Sequence, residues 1–105
     1  MMRGLKMRLV NVIYGNDYNN VDLILVPQWV AQKIYDYVQE FCDWLITDPD
    51  QTYKRITNEG LVSYICETDG FIDWLNKHII KSELEKATIV SQHLNYNPEL
   101  PSAEF

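Results

Sequence analysis

Few side chains in this sequence are of the kinds that perform nucleophilic chemistry; the candidates are Cys42, Cys66, His78 and His93. A cysteine nucleophile needs a base within hydrogen-bond reach or a positive neighbour that lowers its thiol pKa. Cys66 ends a run of strand character close to a helix start, but no basic residue adjoins it. Cys42 and His78 fall on the apolar arcs of two helical periodicities, where an inert buried thiol and a core histidine are expected. The two cysteines stand in no CxxC arrangement, which argues against a zinc site and a disulfide framework. With two histidines, no HExxH and no glycine-rich phosphate loop, the residue types point to no metal, no cofactor and no nucleotide.

The carboxylates offer a second kind of chemistry. Residues 41–45, FCDWL, and 71–75, FIDWL, share the pattern Phe-x-Asp-Trp-Leu. Two carboxylates can divide acid and base work only if their side chains converge in one cleft. At 100° per residue, Phe41 and Leu45 point inward, as do Phe71 and Leu75, while Asp43 and Asp73 point outward and Trp44 and Trp74 flank. Two helices with the same amphipathic solution account for the echo, and the flanking sequences do not match as a repeat would.

Asp73 lies early in its helix, where the dipole favours an anion, with Lys77 four residues on. Asp43 lies near a helix end, with no Lys or Arg three or four positions away in sequence. Asp36, Glu40 and Asp43 fall within about 60° of one another on that helix, and Asp48 and Asp50 carry the negative charge into the following loop. Trp29 falls on the same polar side, beside Lys33, Asp36 and Glu40. A flat aromatic beside acidic groups suits contact with a cationic partner, whereas a structural Trp29 would fold back over the preceding hairpin. Trp29, Asp36, Glu40, Asp43, Asp48 and Asp50 are therefore the candidate protein-binding residues. Tyr14, Tyr18, Tyr35, Tyr37 and Tyr96 could extend such a surface.

The elements that must position these residues follow from pattern. MRLVNVIY (7–14) and VDLILVP (21–27) are β-branched runs separated by GNDYNN, a hairpin. Residues 28–46 carry Val30, Ile34, Val38, Phe41 and Leu45 at helical spacing, closed by TDPD. TYKRIT and LVSYICE predict a second hairpin turning at Gly60, and TDGFIDWLNKHII a second helix capped by Thr68. SELE is a capping-box pattern that favours a helical turn, and KATIVSQHL after it predicts a final strand, with continued helix as the alternative. The expected fold is α+β: an antiparallel sheet of about five strands, in the order β-β-α-β-β-α-β, with two amphipathic helices packed on it. Residues 7–95 would form one globular domain, 1–6 a dispensable leader, and the proline-containing segment 96–105 an extended tail.

The chain of 105 residues holds 15 Asp and Glu against 9 Lys and Arg. Three of the basic residues, Arg3, Lys6 and Arg8, crowd the first eight positions, so the body is more acidic than the net charge of −6 implies. Such a surface repels phosphate backbones and anionic membranes and attracts basic proteins. The N-terminal apolar run is short, interrupted by Asn11 and without a small-residue cleavage site, so no signal peptide is expected. Reduced thiols and the lack of a membrane-spanning run place the protein in the cytoplasm.

A small acidic α+β chain without catalytic motifs resembles, in general format, the immunity proteins of bacterial polymorphic-toxin and contact-dependent inhibition systems. The resemblance implies a stoichiometric, non-enzymatic inhibitor that binds a basic toxin domain, often a nuclease, and masks its active surface. The alternatives are a small cysteine or acid-base enzyme and a DNA-mimicking antagonist of a nucleic-acid enzyme. The last requires regularly spaced carboxylates along an extended stripe.

Overall fold

Val10, Val12, Ile24 and Val26 alternate along two neighbouring strands and are fully buried on one sheet face, as period-2 patterning requires of a sheet with one covered side. The computed structural model describes residues 6–47, 54–56, 62–64 and 68–105. The strands are β1 (Met7–Ile13), β2 (Val21–Pro27), β3 (Lys54–Ile56), β4 (Val62–Tyr64), β5 (Thr88–Leu94) and β6 (Ser102–Glu104). The helices are α1 (Gln28–Ala31), α2 (Ile34–Thr47) and α3 (Thr68–Trp74). The fold is α+β. One sheet has the order β5-β2-β1-β6, and β3 and β4 form a separate two-stranded sheet.

The β1–β2 hairpin forms as expected, in antiparallel register from Met7↔Pro27 to Val12↔Asp22. Gly15 and Asn16 take positive φ at its turn, the left-handed region that glycine enters freely and asparagine tolerates. The strand expected after SELE is β5, antiparallel to β2, and SELE itself folds as a short 3₁₀ turn in which the Ser82 hydroxyl accepts from the Leu84 N–H at 3.3 Å.

Three expectations are corrected. The five-stranded antiparallel sheet is a four-stranded mixed one: among the described residues β3 and β4 pair only with each other (Lys54↔Tyr64 to Ile56↔Val62), and the fourth place goes to β6. The segment 96–105 is not merely an extended tail: it supplies β6, parallel to β1 from Asn11↔Ser102 to Ile13↔Glu104, with Ala103 fully buried. Lys6, assigned to the leader, gives its carbonyl to the Gln28 N–H at 2.8 Å.

Asn11 explains why the C-terminal segment is held. It is 1% exposed, in the middle of a strand that otherwise reads as apolar. Its backbone N–H donates to the Pro101 carbonyl at 2.9 Å. Its side-chain amide donates to the Asn97 carbonyl at 2.8 Å, and its side-chain oxygen accepts from the Asn97 N–H at 3.3 Å. A buried amide with these partners is satisfied, and the partners lie 86 residues away.

Both helices depart from ideal geometry. The single helix expected over 28–46 is interrupted at Gln32 and Lys33, where the Lys33 N–H reaches the Val30 carbonyl at 3.0 Å in a tight three-residue turn. The second helix widens from α3 into a π-helical turn over Leu75–Ile79, closed by Ile80 N–H to the Leu75 carbonyl at 2.7 Å.

The two Phe-x-Asp-Trp-Leu segments meet in the core. The Phe41 ring lies 5.4 Å from Phe71, 5.7 Å from Trp74 and 6.3 Å from Trp44. Phe105 closes the cluster, 5.3 Å from Phe71 and 6.0 Å from Phe41, and stacks on Tyr14 at 5.1 Å. Such tilted and edge-on pairs add to the stabilisation from area burial.

Candidate functional site: an acidic helix face edged by aromatic rings

The outer face of α2 follows from its inner one. Ile34, Val38, Phe41 and Leu45 are buried against the sheet and α3, so a 3.6-residue period leaves Tyr35, Asp36, Gln39, Glu40 and Asp43 facing out, and all five are exposed. Asp36, Glu40 and Asp43 thus form the continuous stripe that their spacing predicted. Asp48 and Asp50, its expected continuation, lie outside the described residues.

Trp29 stands on α1 with 39% of its surface exposed and meets Tyr37 of α2 edge-on, with ring centroids 6.4 Å apart. It therefore packs on the neighbouring helix while leaving over a third of its surface to solvent. Tyr37 is half-buried. Its phenol pKa is raised, chiefly by desolvation and then by the negative charges of Glu40 and Asp36. Those two carboxylates and the aromatic pair consequently share one electrostatic neighbourhood.

A test follows from that shift. A phenol whose pKa is higher folded than unfolded holds its proton longer in the native state, so its contribution is fully present below the unfolded pKa and disappears as pH rises through the folded one. Stability should therefore fall on the alkaline side, from about pH 10 upward. Tyr37→Phe should flatten that limb in urea titrations at neutral and alkaline pH. An unchanged alkaline limb would show that folding does not raise the pKa of this phenol.

The candidates for cysteine chemistry fall in different settings. Cys42 is half-buried and packs against the core, in part as expected for an inert thiol. Cys66 lies outside the described residues. His78, expected in the core, is exposed; its ring lies 5.5 Å from Trp44 and 6.4 Å from Trp74. The π-helical turn rotates each residue less than 100°, which carries His78 off the inward arc set by Phe71. His93 lies on β5, with positive φ and its Nδ1 2.6 Å from the Asn20 side-chain oxygen.

Asp43 and Asp73 are both exposed, on separate helices. One polar constellation escaped the sequence reading. The Thr68 hydroxyl, expected as a helix cap, donates to the Asp22 carboxylate and meets the Tyr14 hydroxyl at 3.1 Å, joining α3 to the β1–β2 hairpin. Thr68 is buried, and these bonds satisfy it. No signal in the sequence links positions 14, 22 and 68.

Among the described residues no group of His, Cys, Asp and Glu is arranged to hold a metal ion, and no helix is long and apolar enough to cross a membrane. The fold and the site define an α+β protein that presents an acidic, aromatic-edged helix face. No protein-family model and no solved structure matches the chain. Among curated proteins it is similar to the genome polyprotein of Pea seed-borne mosaic virus (strain DPD1), with 31% identity over 72 residues. Those residues are 68% of this chain and 2% of the polyprotein, so the chain spans only a small part of that relative.

Proposed function

We propose that the protein is a non-enzymatic binding module whose α1–α2 face engages a basic protein, in the manner of an immunity protein that neutralises a toxin domain. The observation that carries this reading is the exposed Trp29 ring, set edge-on against half-buried Tyr37 beside Asp36 and Glu40. A tryptophan that keeps over a third of its surface in solvent, next to negative charge, supplies both an apolar anchor and an attraction for Lys or Arg. The carboxylates would steer encounter, and the ring would hold the complex once formed. Asp43 extends the stripe along the helix, and Asp48 and Asp50 follow it in sequence.

The experiment is co-expression with the polypeptide encoded by the neighbouring reading frame. That product should be toxic alone, and the present protein should relieve the toxicity by forming a stoichiometric complex. A harmless neighbour, or a toxic one that does not bind, would refute the reading.

Given such a complex, Asp36→Lys with Glu40→Lys should slow association and flatten its dependence on salt. Fold stability should change by no more than about 0.5 kcal/mol, as for exposed surface positions. Trp29→Ala should instead speed dissociation, at a cost of about 2 kcal/mol of affinity. Its loss of folding stability should stay near the value of one edge-on aromatic pair, about 1 kcal/mol. Stopped-flow association, dissociation and thermal melting of these variants separate the two roles.

A further inference from the structure

We propose that the cavity formed by β1, α1 and the turn at Asn97–Leu100 binds a small zwitterion, an α-amino acid with an apolar side chain. The cavity measures about 410 Å³ and is lined by Arg8 and Glu99, by two glutamines, and by Ala31, Leu100 and Pro101. Arg8 departs from the pattern of its strand. It stands opposite Val26, and period-2 alternation places it on the same face of β1 as Val10 and Val12. Those three valines are fully buried there, whereas Arg8 is exposed, because the cavity lies against it.

The opposite charge comes from Glu99, whose backbone is fixed by the turn. Its N–H donates to the Asn97 side-chain oxygen at 3.0 Å. The Asn97 carbonyl accepts from the Leu100 N–H at 3.2 Å and from the Asn11 amide at 2.8 Å. Arg8 and Glu99 line one cavity, yet among the described residues neither the guanidinium nor the carboxylate has an ion-pair or hydrogen-bond partner. The glutamines, Gln28 and Gln32, stand one helical turn apart, with the Gln32 N–H on the Gln28 carbonyl at 3.0 Å. Their side-chain amides are likewise without a partner among the described residues.

The wall chemistry selects the ligand. A lone anion is drawn by Arg8 and repelled by Glu99, and a lone cation meets the reverse. A molecule that carries both charges gains from both walls. A ligand carboxylate matches the two-pronged donor geometry of the guanidinium, and a ligand ammonium pairs with the Glu99 carboxylate. The two carboxamides can donate to the one group and accept from the other. Ala31, Leu100 and Pro101 leave an apolar surface for the ligand side chain. The volume lies near the lower end of the range for small-molecule sites, about 300–1,000 Å³, which suits a molecule of amino-acid size. This inference is independent of the acidic face of α2.

The test is titration of the full-length protein with leucine, methionine and phenylalanine, read by calorimetry and by the NMR amide signals of Gln32 and Leu100. At least one of the three should bind and shift both signals. Its carboxamide derivative lacks the anionic end and its N-acetyl derivative the cationic end, so each should bind about tenfold more weakly or worse. Arg8→Gln should weaken the amino acid by a similar factor and leave the carboxamide derivative unaffected. Glu99→Gln should weaken the amino acid and leave the N-acetyl derivative unaffected. Both positions are exposed, so both variants should keep the thermal midpoint of the unaltered chain. No shift with any of the three at about 10 mM would overturn the proposal. Equal affinity for the amino acid and either derivative would overturn it too, since binding would not then use both charges. A lowered midpoint in each variant that does not add in the double variant would also overturn it, because Arg8 and Glu99 would then pair with each other.

Discussion

Phe41→Ala should destabilise the protein by about 3–5 kcal/mol, the range for removing a large aromatic ring from a well-packed core. Phe41 is fully buried and is the ring at which both helices and the C-terminus converge, with Phe71, Trp74, Trp44 and Phe105 all within 6.3 Å between centroids. No single neighbour can move to fill its place, because they are held by α2, α3 and the C-terminal segment, so the cavity term adds to the lost transfer energy. Urea denaturation followed by tryptophan fluorescence measures the loss. A change below about 1 kcal/mol would mean that the two Phe-x-Asp-Trp-Leu segments do not meet in solution.

Asn11→Ala should cost about 2–3 kcal/mol, more than an ordinary hydrogen bond, because it removes several part-buried amide contacts to the C-terminal segment at once. The Asn97 carbonyl and N–H both lose their side-chain partner, and the amide contacts to Leu100, Pro101 and Ser102 at 3.4–3.5 Å go with them. The loss should not be confined to β1. Hydrogen exchange at Ala103 and Phe105 should accelerate together with the drop in stability, since Phe105 N–H bonds the Ile13 carbonyl at 2.9 Å only while β6 is seated.

Deleting Ser102–Phe105 should destabilise comparably, and combining the deletion with Asn11→Ala should add much less than the sum. Such non-additivity is what two changes acting on one contact produce. Full additivity would show that Asn11 stabilises β1 by itself and does not secure the C-terminal segment.

The sequence determined the elements whose signal is local. Alternation and a Gly-Asn turn specified the β1–β2 hairpin, heptad-like spacing specified α2, and the outward phase of Asp36, Glu40 and Asp43 followed from the inward phase of Val38, Phe41 and Leu45. The candidate face was legible for the same reason, since a helix with a known buried side has a known exposed one. Its aromatic edge was legible only in part. The wheel placed Trp29 among polar residues, but its seat on Tyr37 depends on the break at Gln32 and Lys33, which no propensity marks.

Tertiary structure alone decided the rest. Asn11 looks like a flaw in an apolar strand until Asn97 is beside it, and 96–105 lacks any periodic signal because a three-residue parallel strand is held by distant partners. His78 left the core because a π-helical turn shifted the phase within a single helix. In each case the deciding interaction joins residues far apart in the chain or changes the helical period midway, and a pattern read along the sequence assumes neither.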